Sequence, residues 1–341
     1  MSGAVTVIPL PDIPEVAQHH DLGVLLRRAL QAAGQSLAAG DVLVVSSKLV
    51  SKARGLRADT PDRDAVVLAQ SRRVVAERRS PVGTTRIVES LAGPVLAAAG
   101  VDASNTGPRG GLLLLPGDPD LAARDVYAGL LTAYAPQPLP EIGVVLSDTA
   151  GRPWREGQVD FALGACGVGV LDDLRGGADA DGRELSVTAR AVADEIAAAA
   201  DLVKGKASGV PAALVRGLPA GTVTGPGAPG AAHLVRTGAG DWFGLGRVEA
   251  VRAALGAAPG TPEAEQVGIA SVAAEPRPVR VARAVALALL CTAPAAVQVL
   301  DTGTSLLVRG GDAYQRGRAV ARLEVALHAE GLGDEPVTAE A

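Results

Sequence analysis

The stretch Ile142–Gln158, IGVVLSDTAGRPWREGQ, constrains this chain more than any other. Ile142 to Leu146 are small or apolar with β-branched members, the length of one buried strand and too short for a helix. Ser147, Asp148 and Thr149 then set oxygen-bearing side chains at the strand end, and Gly151, Pro153 and Gly157 predict that no regular element follows at once. Oxygen ligands on a firm edge, beside a loop carrying Arg152, Arg155 and Glu156, suit a hard cation and a phosphate. An ordinary strand-to-loop turn closed by an Asx hydrogen bond accounts for the segment equally well.

At 341 residues the chain has room for two domains, or one large domain with an appendage. Hydrophobic residues make up 48% and aromatic ones only 2%, so the core must be Ala, Val and Leu. Base-stacking platforms for single-stranded nucleic acid are scarce, and a net charge of −5 gives no general attraction to nucleic acid or anionic membrane. Cys166 and Cys291 lie in apolar or small-residue runs and read as buried reduced thiols rather than a zinc site or disulfide framework. Met1 to Pro9 lacks the pattern of a secretory signal, and apolar runs such as Val285–Cys291 fall short of a membrane span. A soluble cytoplasmic protein is expected.

Elsewhere the pattern predicts a strand at Ala4–Ile8, a helix from an Asp21 N-cap to Ala33, and a buried strand Val42–Lys48. If a helical turn follows, Lys48 and Lys52 share a face; a solvated basic turn is the plainer reading. Asp64–Arg79 reads as a helix with a solvated basic face, and Asp118–Tyr134 as another helix. Gly100–Asn105 has the composition of a loop, where Asp102 and Asn105 offer further oxygen atoms. Ser186–Lys204 predicts a long helix ending at Gly205, where capping alone would explain Lys204 and Lys206. Pro219–Ala232 reads as a linker, and Val267–Gly333 as helix, strand, strand, helix, with no gathering of catalytic residue types. Gly167-Val-Gly169 lacks the third glycine of a dinucleotide fingerprint, and no P-loop occurs. His19, His20, His233 and His328 fall in polar or linker surroundings and read as surface residues.

Asp102–Asn105, Asp148–Thr149 and Ser46–Lys52 all follow apolar strands. If those strands are neighbours, their ends unite carboxylates for Mg²⁺ or Mn²⁺ with basic groups for phosphates.

Four strings, Gly40–Lys52, Ala99–Asn105, Ser147–Gln158 and Val192–Lys206, resemble in order and spacing those of the coenzyme F420-0:L-glutamate ligase family, over residues 5–245. The resemblance implies a mixed α/β (α+β) fold, with a two-lobed ligase domain at 1–246 and a small α+β appendage at 247–341. It implies a GTP-dependent amide ligase that adds L-glutamate to the carboxylate at the phospholactate end of F420-0, then further glutamates by γ-linkage. The metal ligands for two divalent ions, Mg²⁺ or Mn²⁺, would be Asp102, Asp148 and Thr149, with Asn105 on the nucleotide. Ile13, Pro14, Glu15 and Val16, with Ser47 and Lys52, would complete the nucleotide pocket, and Lys204, Gly205 and Lys206 would close over it. Lys52 with Arg152 or Arg155 would stabilise the charge of phosphoryl transfer, without a protein nucleophile. The resemblance also implies a homodimer with its site near the subunit interface. Some relatives carry a flavin-binding domain; the segment beyond Gly246 is too short for one and lacks an arginine cluster, so no FMN is expected. A GTP- and metal-binding sensor, or a ligase for another phosphorylated carboxylate, remains open at this point.

Overall fold

The computed structural model describes residues 3–81, 83–238, 241–290 and 296–340; Cys291 lies outside them. The chain forms two compact units, one of residues 1–66 with 90–236, the other of 67–89 with 237–341. The fold is mixed α/β, as expected from the resemblance.

A six-stranded sheet organises the first unit. Its strands are β1 (Thr6–Pro9), β2 (Val42–Ser46), β3 (Gly143–Arg152), β4 (Arg155–Val168), β5 (Ala212–Arg216) and β6 (Val223–Gly225), in spatial order β1-β5-β2-β3-β4-β6. Only β2 and β3 run parallel; the other neighbours are antiparallel. Helices α1 (Leu22–Ala32), α2 (Ser47–Ala53), α3 (Pro119–Tyr134) and α4 (Val192–Lys204) belong to the same unit. Side chains alternate across the sheet. Leu43, Val45, Val144 and Leu146 pack with Leu26 and Leu30 of α1 and Val126 and Leu130 of α3. Val42, Val44 and Val145 pack with Ala193, Ile196 and Ala200 of α4 on the other face. A sheet covered on both faces needs apolar residues at every position, which is why these strands read as unbroken runs.

Asp21 caps α1 by accepting from the Val24 N–H at 3.1 Å, as expected, and Asp118, where a helix was expected to begin, caps α3 by accepting from the Leu121 N–H at 2.8 Å. The first helix crosses α3 at Gly23 and Gly129, where a Cβ on Gly23 would lie 2.2 Å from the Gly129 backbone.

Four local readings are corrected. The segment after Leu146 is no mobile loop: β3 runs on to Arg152, turns at Pro153-Trp154 and returns as β4. Pro153 and Gly157 serve the tip and its irregular register instead of breaking the strands. Asp64–Arg79 divides into a helix, Arg63–Ala69, and a strand, Ser71–Ser80. Its arginines are engaged rather than merely solvated: Arg73 donates to Glu89 at 2.7 Å, and Arg78 pairs with Glu249. The long helix starts at Val192, not Ser186, because Ala189–Arg190 pairs with Asp172–Asp173 as a two-stranded ribbon. The Gly/Pro-rich 219–232 segment supplies β6 and is pinned by buried Asp120, whose carboxylate accepts from the Ala165, Ala231 and Ala232 N–H groups at 2.8, 2.8 and 3.1 Å.

The second unit contains the expected helix, strand, strand, helix: Arg277–Leu289, Gln298–Asp301, Leu306–Arg309 and Ala313–Ala329, with Val337–Ala339 as a third strand. Leu287, Leu306, Leu323 and Leu327 fill its core. Buried Arg283 donates to Glu330 and Glu275, each at 2.6 Å.

Candidate functional site

The parallel register Ser46↔Ser147 sets the ends of β2 and β3 side by side. At Ser47 the chain turns into α2, so Lys48 and Lys52 stand one turn apart and both reach the same cavity. Antiparallel β5 starts from the same edge, with the Ser46 N–H donating to Pro211 O at 2.9 Å, and this brings in the 205–211 segment that leaves α4. The resulting cavity holds about 430 Å³.

Of the residues singled out in the sequence, Ile13, Pro14, Glu15, Val16, Lys52, Asn105, Asp148, Thr149, Lys204, Gly205 and Lys206 all line this cavity. Asp102 lines an adjoining cavity that shares Asp148, Thr149 and Lys206 with it. Ser47 is buried at 1% exposure and does not line the cavity; its neighbour Ser46 does. Arg152 and Arg155 are exposed at the hairpin tip and line neither cavity.

Charge at the site is organised in three groups. Lys52 pairs with Glu15 at 2.7 Å. Asp102 pairs with Lys48 at 2.8 Å and with Lys206 at 3.7 Å, and accepts from the Ser104 N–H at 2.6 Å. Burial alone would raise the Asp102 carboxyl, but the Lys48 ammonium and the Ser104 bond hold it at about 2. The third group is buried. Lys204 Nζ donates to Asp160 Oδ2 and Ser147 Oγ, each at 2.6 Å; Ser147 Oγ donates to Asp160 Oδ2 at 2.8 Å; Thr149 Oγ1 donates to Asp160 Oδ1 at 2.7 Å. Desolvation raises Asp160, and Lys204 with the two hydroxyls more than reverses it, leaving its pKa lowered.

Asp148 behaves differently. Burial pushes its carboxyl up to about 6, against the pull of Lys48, with Asp160 and Asp102 adding like-charge repulsion. A carboxylate so placed gains from a cation.

Asp160 escaped the sequence reading. It lies directly across from Thr149 in the β3/β4 pairing, so recognising the hairpin would have found it. Lys204 was explained as a helix cap; its ammonium instead turns inward onto Asp160, with both side chains at 5% exposure.

Among the described residues no three His, Cys, Asp or Glu side chains form a ready-made metal cage. The donors present are hard oxygens: the Asp148 and Asp102 carboxylates and the Thr149 hydroxyl. Because a carboxylate can only accept, Thr149 spends its proton on Asp160 and keeps lone pairs for another partner. Such a set fits Mg²⁺ or Mn²⁺ held by one or two carboxylates and completed by substrate phosphates.

Residues 12–217 match the family model described as F420-0:Gamma-glutamyl ligase. The coenzyme F420:L-glutamate ligase of Methanothermobacter thermautotrophicus is 37% identical over 239 residues, 65% of this chain and 93% of the relative. That of Methanopyrus kandleri is 40% identical over 226 residues, 62% of this chain and 86% of the relative. That of Halobacterium salinarum is 37% identical over 225 residues, 60% and 83% respectively. With its mixed sheet and its carboxylates and lysines gathered at one sheet edge, the chain belongs to the F420-0:gamma-glutamyl ligase family and is a ligase.

Proposed function

We propose that this protein joins L-glutamate to coenzyme F420-0 through an amide bond, driven by GTP, and adds further glutamates by γ-linkage. The observation that carries this reading is the single cavity uniting Asp148 and Thr149 with Lys48, Lys52, Asn105 and Lys206. Around a triphosphate these residues supply cationic and hydrogen-bonding partners from several sides, while Asp148 and Thr149, with Asp102 beside them, offer oxygen ligands for two divalent ions, Mg²⁺ or Mn²⁺. Held by these residues, such ions would supply neutralisation of the charge that phosphoryl transfer concentrates.

A carboxylate is a poor acyl electrophile. In the proposed reaction an acceptor carboxylate oxygen takes the γ-phosphoryl group, GDP leaves, and an acyl phosphate forms. The glutamate amine then attacks the acyl carbon and inorganic phosphate departs with the C–O bonding electrons. No side chain need act as nucleophile, so the work of Lys52, Lys48 and Lys206 is positioning and charge stabilisation.

All of these residues lie in the unit of residues 1–66 and 90–236; in the same reading residues 247–341 are an appendage that takes no part in the chemistry. Among the described residues no helix is long and apolar enough to cross a membrane. The same reading has the protein act in the cytoplasm, as a homodimer. Phosphate release from GTP that requires both F420-0 and glutamate tests it; GTP binding with no turnover under any combination would defeat it.

A further inference from the structure

The adjoining cavity, of about 250 Å³, shares Asp148, Thr149 and Lys206 with the larger one. To these it adds Asp102, Arg63 and Gln158. We propose, resting on the ligase reading above, that this cavity seats the attacking amine as a dicarboxylic amino acid, its carboxylates read by Arg63 and Lys206. Its amine then faces the Asp148–Thr149 wall, beyond which the acid is activated.

Three observations lead there. The amine must reach the acyl carbon from a seat of its own beside the nucleotide, and two cavities meeting at one shared wall provide adjoining seats. The second cavity is also the smaller. It suits an amino acid, whereas a deazaflavin ring with its ribityl phosphate needs more room. Its charge is complementary as well: Arg63 Nη2 donates to Val101 O at 3.0 Å, which braces the guanidinium at the cavity rim. The planar fork suits a carboxylate. Lys206 is held only loosely by Asp102, at 3.7 Å, and can turn to a stronger partner. Gln158, on β4 opposite Gly151, brings an amide that can both donate and accept.

In the bond-forming step the amine nitrogen gains the acyl carbon, the carbon–oxygen bond to phosphate breaks, phosphate leaves with that electron pair, and the surplus amine proton passes to solvent. No reactant beyond the three substrates is consumed.

Arg63→Ala tests the assignment through steady-state kinetics with glutamate and with glutamine, which lacks the side-chain charge. The KM for glutamate should rise about tenfold or more, and the preference for glutamate over glutamine should fall by about the same factor, with the KM for GTP unmoved. Arg63→Lys should recover part of the preference. Hydroxylamine, an amine with no carboxylate, captures the acyl phosphate as a hydroxamate and keeps the test readable if Arg63→Ala makes no amide. An equal loss toward glutamate, glutamine and hydroxylamine would overturn the assignment, as would an effect confined to the KM for F420-0. Absence of amide and hydroxamate alike from the unaltered protein would instead defeat the ligase reading itself.

Discussion

Asp148 and Asp160 lie on facing strands of one hairpin and are moved in opposite directions from the ordinary carboxylate value, the first raised by burial and the second lowered by its partners. For Asp148 the folded pKa, about 6, lies above its ordinary 3.8. Below the lower value it is neutral in both folded and unfolded chains. Between the two the unfolded chain ionises first, and above 6 the folded state carries the whole cost of a desolvated charge. Without metal, Asp148→Asn should therefore leave stability nearly unchanged near pH 4 and raise it by on the order of 2–3 kcal/mol above pH 6, while abolishing ligation. Urea unfolding of both proteins across that pH range checks the sign; a less stable variant at pH 7.5 would contradict it. Asp160 is the reverse case, a carboxylate kept ionised by Lys204 and by hydroxyls that donate to it. Asp160→Asn leaves the Lys204 ammonium buried without its counter-charge and should cost about 3–5 kcal/mol. By freeing the Thr149 hydroxyl to turn, it should also weaken Mn²⁺ binding about tenfold or more, read by electron paramagnetic resonance of free Mn²⁺. Unaltered Mn²⁺ affinity in a folded variant would show that Asp160 does not orient Thr149.

At the scale of elements, close approach is bought with glycine where α1 crosses α3. Helix propensity favours alanine over glycine by about 1 kcal/mol, yet a Cβ at Gly23 would stand 2.2 Å from the Gly129 carbonyl carbon and oxygen. Backbone cannot yield as a flexible side chain can, so the clash outweighs the propensity. Gly23→Ala should destabilise the protein by about 1–3 kcal/mol, seen as a lower urea midpoint; a raised midpoint would mean that the helices part freely. Elements whose signals are local were legible before folding: the Asp21 cap, the helix beginning at Asp118 and the apolar run of β2. The β3/β4 hairpin was not. Its tip carries Gly151, Pro153 and Gly157, residues that also end strands, and only pairing between distant segments tells a hairpin tip from a break. Ser71–Ser80 misled for a related reason: arginines on successive turns of an imagined helix are, on the actual strand, held by Glu89 and Glu249.

Across the whole molecule, residues from four separate strings of sequence line two adjoining cavities, the first and third strings set side by side because the central strands β2 and β3 are parallel and in register at Ser46 and Ser147. The residue types of the cavity were legible from their motifs. The buried Asp160–Lys204 pair was not, since a lysine at a helix end and an aspartate within a strand each have an ordinary local explanation. Sequence also gave no sign that residues 67–89 group with the C-terminal segment, a matter of contacts far apart along the chain. The composition, Ala- and Val-rich with few aromatic residues, is met by thin layers in which Ala193, Ala197 and Ala200 lie directly on the sheet. The most direct test of the whole reading is mass analysis of F420-0 after incubation with the protein, GTP, Mn²⁺ and glutamate. A product heavier by one or more glutamate residues, absent when GTP, metal or glutamate is withheld and absent with Asp148→Asn, is the expected result; F420-0 recovered unchanged from the complete mixture would contradict it.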